Sequence, residues 1–358
     1  MNSDLSSQQV KDIGEQGLLK RLQRFCPPEI IGDDAAVLET VPGQSLVVTT
    51  DVLVDGVHFS NFTTSPEDAG WRSAAANLSD LAAMGASPLG ITIGLGLPGE
   101  VKVSWVERLY QGMTECLQKY KTPIVGGDVV RSPVTTLAIT AFGQVNSSQI
   151  IRRSAAVVGD AIVVTGVHGA SRAGLELLLH PELGENLNNE EKTTLIRAHQ
   201  RPQPRLDVLP ILWKILTPNS FTNAINQSCT DAINRVCTQL PIAGMDSSDG
   251  LADAIIQICR ASGVGAVLEC RQIPLPKTFN HWLTQEQALA YALYGGEDFE
   301  LVLCLPQELA LALVQYLGEG AAIAGRITAK STVILHDEQK KFPDQVLSLS
   351  QGFQHFGQ

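Results

Sequence analysis

Six short acidic motifs, each set among small side chains, are scattered along this chain. They are Gly32-Asp33-Asp34-Ala35, Thr49-Thr50-Asp51, Asn77-Leu78-Ser79-Asp80-Leu81, Gly126-Gly127-Asp128, Asp246-Ser247-Ser248-Asp249-Gly250 and Gly295-Gly296-Glu297-Asp298. Hard cations such as Mg²⁺ take oxygen ligands in near-octahedral geometry, and they usually bridge a few carboxylates to substrate phosphates. A single motif of this kind reads as a turn. Six of them, separated by apolar stretches, point to one convergent site and to magnesium-dependent phosphoryl transfer.

Asp80 carries the most weight. Residues 74–84 read as a largely apolar helix, and Asn, Ser and Asp favour caps and turns over helix interiors. Asn77, Ser79 and Asp80 among alanines therefore predict a buried charge, which needs a partner or a metal; the plain alternative is a solvated helix face. Asp33 and Asp34 alone would be an ordinary turn. Asp51 and Asp128 are each expected at the end of an apolar strand, where α/β sheets commonly bind ligands. Asp246 and Asp249 bracket two serines at a helix start, and capping would account for one of them. Glu300, entering an apolar strand, reads as solvent-facing. His58 and Arg153 stand beside these motifs. Arg152-Arg153 could be solvated or could supply charge to a phosphate.

The elements that must position these residues follow from local signals. A helical leader is expected over 1–29, ending at Pro27-Pro28. A strand over 46–50 precedes Asp51. Ser65, Pro66, Glu67 and Asp68 open a helix that stops at Gly85. A strand over 91–97, a helix from Ser104, and strands over 123–125 and 136–142 complete a first unit over 30–148. A second unit over 149–358 begins after Asn146-Ser147-Ser148-Gln149. It holds strands at 161–165, 264–269 and 299–305, helices at 172–179 and 251–261, loop over 181–191, and loop plus short strand over 318–325. This order indicates a mixed α/β (α+β) fold.

Composition narrows the class. With 358 residues, 44% hydrophobic and 18% charged, the chain can bury a sizeable core. A net charge of -11 and a pI near 5.1 advertise no nucleic-acid surface. No apolar run is long enough to span a bilayer, and the polar N-terminus lacks a signal-peptide pattern. The seven cysteines form no Cys-x-x-Cys pair, so reduced thiols and a cytoplasmic setting are expected. Cys229 and Cys237 lie close in sequence but without a second ligand pair. Gly94-Leu95-Gly96-Leu97-Pro98-Gly99 matches a dinucleotide fingerprint literally, yet without its βαβ context. A P-loop sequence is absent, so a nucleotide must be held by metals and loops.

In order, over about residues 13–355, these motifs resemble the thiamine-monophosphate kinase family. The resemblance rests on 31–38, 49–59 and 77–86, with Gly126-Gly127-Asp128 and Arg152-Arg153-Ser154-Ala155. It continues in Arg201-Pro202-x-Pro204-Arg205, Ser247-Ser248-Asp249-Gly250-Leu251 and Gly295-Gly296-Glu297-Asp298-Phe299-Glu300. The superfamily also contains aminoimidazole ribonucleotide synthetase and selenophosphate synthetase. The resemblance implies two domains, a homodimer whose N-terminal sheets pair into a barrel, and a C-terminal α/β sandwich. It implies ATP as co-substrate with several Mg²⁺ ions, and transfer of its γ-phosphoryl group to thiamine monophosphate. The ligands it implies for metal are Asp33, Thr49, Thr50, Asp51, Asp80, Asp128, Asp246 and Asp249. Among them Asp33, Asp51, Asp80, Asp128 and Asp249 serve catalysis. Tyr110, Gly127, Asp128, Arg153 and Ser248 would meet ATP, and His58, Glu297 and Phe353 would meet thiamine. The stretch 217–240 is longer than the family pattern. The rivals are a superfamily sibling with another acceptor and a non-catalytic nucleotide-binding protein. Cys26, before Pro27-Pro28, does not suit a selenophosphate synthetase.

Overall fold

The computed structural model describes residues 8–28, 30, 35–216, 241–341 and 343–352. Asp33, Phe353, Cys229, Cys237 and the stretch 217–240 lie outside the described residues.

Helix α1 (Val10–Leu22) opens the described chain and packs beside α3 (Val103–Lys119). The first unit is a four-stranded sheet in the order β1-β4-β2-β3, built from β1 (Gln44–Val54), β2 (Ser87–Leu97), β3 (Ile124–Arg131) and β4 (Thr136–Asn146). β4 pairs antiparallel with β1 and β2, while β2 and β3 run parallel. β1 and β3 extend beyond the expected strands. Asp51 and Asp128 therefore lie inside the ladder, opposite Ile139 and Gly94, and not at strand ends. Alternation continues through Val52-Leu53-Val54, and the eleven-residue partner β4 pairs it throughout. Gly94, Leu95, Gly96 and Leu97 are ladder residues of β2, so the glycine pattern there belongs to a strand.

Helix α2 (Pro66–Ala83) and α3 cover one face of this sheet. Ser65 caps α2 by accepting the Asp68 N–H at 3.1 Å, Pro66 follows at the first helical position, and Gly85 at φ +75° ends it. Leu78 and Leu81 are fully buried, worth about 1.5–3 kcal/mol each. The two helices touch backbone to backbone. A Cβ on Gly70 would sit 1.9 Å from the Leu109 carbonyl oxygen, and one on Gly112 1.8 Å from that of Glu67, so neither position admits a side chain.

The second unit centres on a seven-stranded sheet, ordered β11-β10-β7-β9-β5-β8-β6. Its strands are β5 (Ala161–Val164), β6 (Ala243–Asp246), β7 (Gly265–Glu269), β8 (Leu301–Leu305), β9 (Ala322–Thr328), β10 (Val333–His336) and β11 (Gln345–Val346). Only β7 and β10 pair in parallel. Around it lie α4 (Ala170–Leu179), α5 (Asn189–Gln200), α6 (Val208–Leu216), α7 (Leu251–Ser262), α8 (Phe279–Trp282), α9 (Gln285–Tyr294) and α10 (Gln307–Leu317). The expected loop over 181–191 is a 3-10 turn, Pro181–Gly184, followed by the start of α5. Asn188 caps α5 and Glu191 answers it in a capping box. The two units share an apolar seam in which Ala82 and Ala83 of α2 pack with Ile151, Leu209, Leu212 and Leu303.

Candidate active site

The polar residues of α2 come to rest on that seam. Asn77 and Ser79 are fully buried. Thr49 of β1 donates its hydroxyl to Asp80, and Ser79 donates to Asp246 Oδ2 at 2.6 Å, tying α2 to the last strand of the second sheet. Ser248 donates to the other Asp246 oxygen at 3.0 Å. The expected cap is not made. Helix α7 starts behind Gly250 with no side-chain cap, so Asp246 and Asp249 are both left to other partners. Gly250, at φ +102°, allows the sharp entry into that helix.

Four carboxylates from three distant parts of the chain thus act on one another: Asp51, Asp80, Asp246 and Asp249. Burial first, then Asp246 and Asp249, push Asp51 up to about 6. Burial, then Asp51, push Asp80 up to about 6 against the Thr49 hydrogen bond and Arg153. Burial, then Asp80, push Asp246 up to about 6. Arg153, exposed in a 3-10 turn (Arg153–Ala155), is the positive charge that draws Asp80 back towards ionisation.

Among the described residues no three His, Cys, Asp or Glu side chains already form a group able to hold a metal ion. The donor chemistry nonetheless fits a hard divalent cation. The site is oxygen-only and crowded with negative charge that burial and mutual repulsion make hard to ionise.

Thr50 and Asp128 are not brought into this group. Alternation along β1 turns Thr49 and Asp51 towards α2, and Thr50 towards the opposite face, where it bonds Thr140 at 2.9 Å. The rows Thr50–Thr140–Thr92–Gly126 and Val52–Ala138–Gly94–Asp128 put Asp128 on that outer face too. Gly127 is demanded by the ladder, since a Cβ there would lie 2.3 Å from the Ile93 carbonyl oxygen. Tyr110 is buried in the first core, its ring 5.5 Å from Phe25, so the structure does not place it beside the acidic group.

A second constellation joins His58 to Glu297. The Val54 N–H donates to His58 Nδ1 at 3.1 Å, which leaves the proton of a neutral ring on Nε2. Arg72 of α2, 3% exposed, donates to Glu297 Oε1, to the His58 carbonyl at 3.2 Å and to the His199 carbonyl at 2.8 Å. Burial and Arg72 drive His199 down to about 2, so it stays neutral. The turn carrying Glu297 is strained: Gly296, Glu297 and Phe299 have φ of +67°, +59° and +53°. Asp298 anchors it by accepting the Gly169 and Ser171 N–H groups at the start of α4, at 2.6 and 2.9 Å. Glu300 is half-buried at 15% exposure, not solvent-facing: it pairs with Arg205 and accepts from Thr165 at 2.6 Å. A cavity of about 880 Å³ adjoins this turn, lined in part by Tyr291, Tyr294, Gly295 and Gln351.

Sequence reasoning missed Arg72 and His199. The signal for Arg72 was present, a charge in the alanine-rich helix that also carries Asp80. His199 gave none.

Residues 32–145 match the AIR synthase related protein, N-terminal domain family, and residues 224–338 match the corresponding C-terminal domain family. The chain is 50% identical over 353 residues to the thiamine-monophosphate kinase of Synechococcus elongatus, covering 98% of this chain and 99% of that one. Its fold is similar to the crystal structure of thiamine-monophosphate kinase from Stenotrophomonas maltophilia, with a TM-score of 0.72 at 31% identity, covering 90% and 96% of the two chains. It is also similar to AaThiL complexed with AMPPCP and TMP, with a TM-score of 0.67 at 29% identity, covering 94% and 98%.

Proposed function

The chain belongs to the thiamine-monophosphate kinase family, and on that premise we propose that it transfers the γ-phosphoryl group of ATP to the phosphate of thiamine monophosphate, yielding thiamine diphosphate. The observation that carries this reading is the convergence of Asp51, Asp80, Asp246 and Asp249 where the two sheets meet.

The acceptor oxygen belongs to a phosphate and is already nucleophilic at neutral pH, so no strong general base is needed. Bringing two polyanions together in line is the main obstacle. Asp51, Asp80, Asp246 and Asp249 would hold Mg²⁺, with Asp33 and Thr49 completing the proposed ligand set; Thr50 and Asp128, on the outer sheet face, stand apart from it. Bound Mg²⁺ would supply charge neutralisation and alignment. The chain's own part is to keep those carboxylates aimed: Thr49 orients Asp80, and Ser79 and Ser248 fix the two oxygens of Asp246. Arg153, exposed beside them, would meet an ATP phosphate. Ser248 and Gly127 are the further ATP contacts proposed, whereas Tyr110, buried against Phe25 in the first core, is left out of them. His58, Glu297 and Phe353 would receive the thiamine moiety.

The remaining expectations are proposals too. Residues 1–29, 30–148 and 149–358 form a leader, an ATP- and metal-binding domain, and a domain completing the site. A homodimer is favoured by the outer face of the first sheet, where Leu46, Val48 and Val52 are 53%, 53% and 47% exposed. Among the described residues no helix is long and apolar enough to cross a membrane, and the reduced thiols fit a cytoplasmic setting.

The test is conversion of thiamine monophosphate by the purified protein with ATP, with and without Mg²⁺, following thiamine diphosphate by chromatography. Magnesium-dependent product is expected. Bound ATP with no diphosphate formed would overturn the acceptor assignment.

A further inference from the structure

A guanidinium as deeply buried as that of Arg72 is hard to explain by stability. Withdrawing a charge from water costs several kcal/mol, and an apolar side chain of similar volume commonly serves the fold as well or better. Its Nε is also a buried donor without a partner among the described residues. What the side chain does is join three pieces of chain that are distant in sequence: the His58 carbonyl after β1, His199 at the end of α5, and Glu297 in the strained turn before β8.

The backbone of that turn is fixed without Arg72. The Glu297 N–H donates to the Ser248 carbonyl at 2.7 Å, Asp298 holds the start of α4, and Glu300 holds Arg205. The direction of the Glu297 side chain remains to be set. Its carboxylate is 34% exposed and free to turn into solvent but for Arg72, with His199 Nδ1 3.7 Å away. His199 is neutral, so the charge answering Glu297 is that of Arg72.

We propose that Arg72 is the positioning residue of the acceptor side of the site, aiming Glu297 and holding the His58 segment so that the two together receive the thiamine moiety. Held in this way, Glu297 is an oriented hydrogen-bond acceptor whose charge is largely answered, suited to the amino-substituted pyrimidine of the substrate. The inference rests on the functional reading above, and it assigns Arg72 no contact with the reacting phosphates.

The experiment is steady-state kinetics with both substrates varied, on the wild type, Arg72→Gln, Arg72→Lys, Glu297→Gln and the Arg72→Gln/Glu297→Gln double variant. Arg72→Gln should raise KM for thiamine monophosphate about ten- to a hundredfold, by analogy with groups that orient a metal ligand, with kcat and KM for ATP unchanged. Arg72→Lys keeps the charge but not the fork, and should fall between. The double variant should be little worse than Glu297→Gln alone, because both act through one contact. If Arg72→Gln does not fold, Arg72→Lys against Glu297→Gln carries the comparison. Equal losses for both substrates, a fall in kcat alone, or additive effects in the double variant would overturn the inference while the kinase reading stands. A wild type that converts no thiamine monophosphate would overturn both.

Discussion

Replacing Asp80 by Asn should make the metal-free protein more stable while nearly abolishing turnover. In the folded chain Asp80 is held at about 6 against an ordinary 3.8, mainly by burial and then by the Asp51 charge. At 1.36 kcal/mol per pH unit that displacement corresponds to about 3 kcal/mol of cost for carrying the charge. Part of it survives in a buried amide and part is offset by losing Arg153, so about 1–3 kcal/mol is the expected gain. Asn keeps an oxygen to accept from Thr49, so the α2–β1 contact persists. Unfolding entropy of about 2.1 cal/mol/K per residue over 358 residues converts the gain to a Tm rise of about 1–4 °C.

The sign with pH is specific. A carboxylate whose folded value lies above its unfolded value binds a proton preferentially in the folded state, so its cost appears as pH rises from about 4 to about 6. The advantage of Asp80→Asn should therefore be absent near pH 4 and complete at pH 7 and above. The assay is a thermal melt in chelator across that range, repeated with Mg²⁺. A cation that binds only the folded state stabilises it by about 2.7 kcal/mol at a hundred times its Kd, so Mg²⁺ should raise the wild type more than the variant. A variant no more stable than wild type in chelator at pH 8, or a difference that ignores pH, would refute the repulsion argument.

Asp128→Asn should show almost no effect in the same melt: Asp128 is exposed on the outer sheet face, so its removal should move stability by less than about 0.5 kcal/mol in chelator, and a gain like that of Asp80→Asn would show that the two share one buried site. Arg205→Met breaks the half-buried pair with Glu300 and should cost up to about 3 kcal/mol by urea denaturation. Adding Glu300→Gln should recover much of that loss, whereas strictly additive losses would mean that the two side chains do not depend on each other.

Where local chemistry decides the outcome, the sequence was readable. Ser65-Pro66 and Gly85 delimit α2, and the apolar, β-branched run over 46–50 places β1. The polar triplet in an alanine-rich helix announces a buried site at Asp80. What failed was what pairing and packing decide. Asp51 and Asp128 were expected at strand ends because local apolarity lapses there, whereas β4 and β2 pair those segments through the acidic residues. Grouping Thr50 with Asp51 overlooked that neighbours on a strand face opposite sides. Glu300 looked solvent-facing because its partner Arg205 lies 95 residues earlier. The start of helix α5 fell inside an expected loop, although the box of Asn188 and Glu191 was there to be read.

The two constellations meet on a single element. Arg72 and Asp80 are eight residues apart on α2, which at 1.5 Å per residue sets them about 12 Å apart along the axis. One end of that span holds Glu297 and the His58 segment through Arg72; the other holds the acidic group through Asp80 and, by way of Ser79, Asp246. Between them lie Ala74, Ala75 and Ala76, with Gly70 just before, small enough for α2 to lie against its neighbours. A substrate gripped by its rings at one end and its phosphate at the other would then be measured by a rigid helix, and not by two loops that drift independently. That arrangement explains why charged side chains stand in an otherwise apolar helix. It also requires that any change in the pitch of α2 between residues 72 and 80 should impair transfer even with every polar side chain intact.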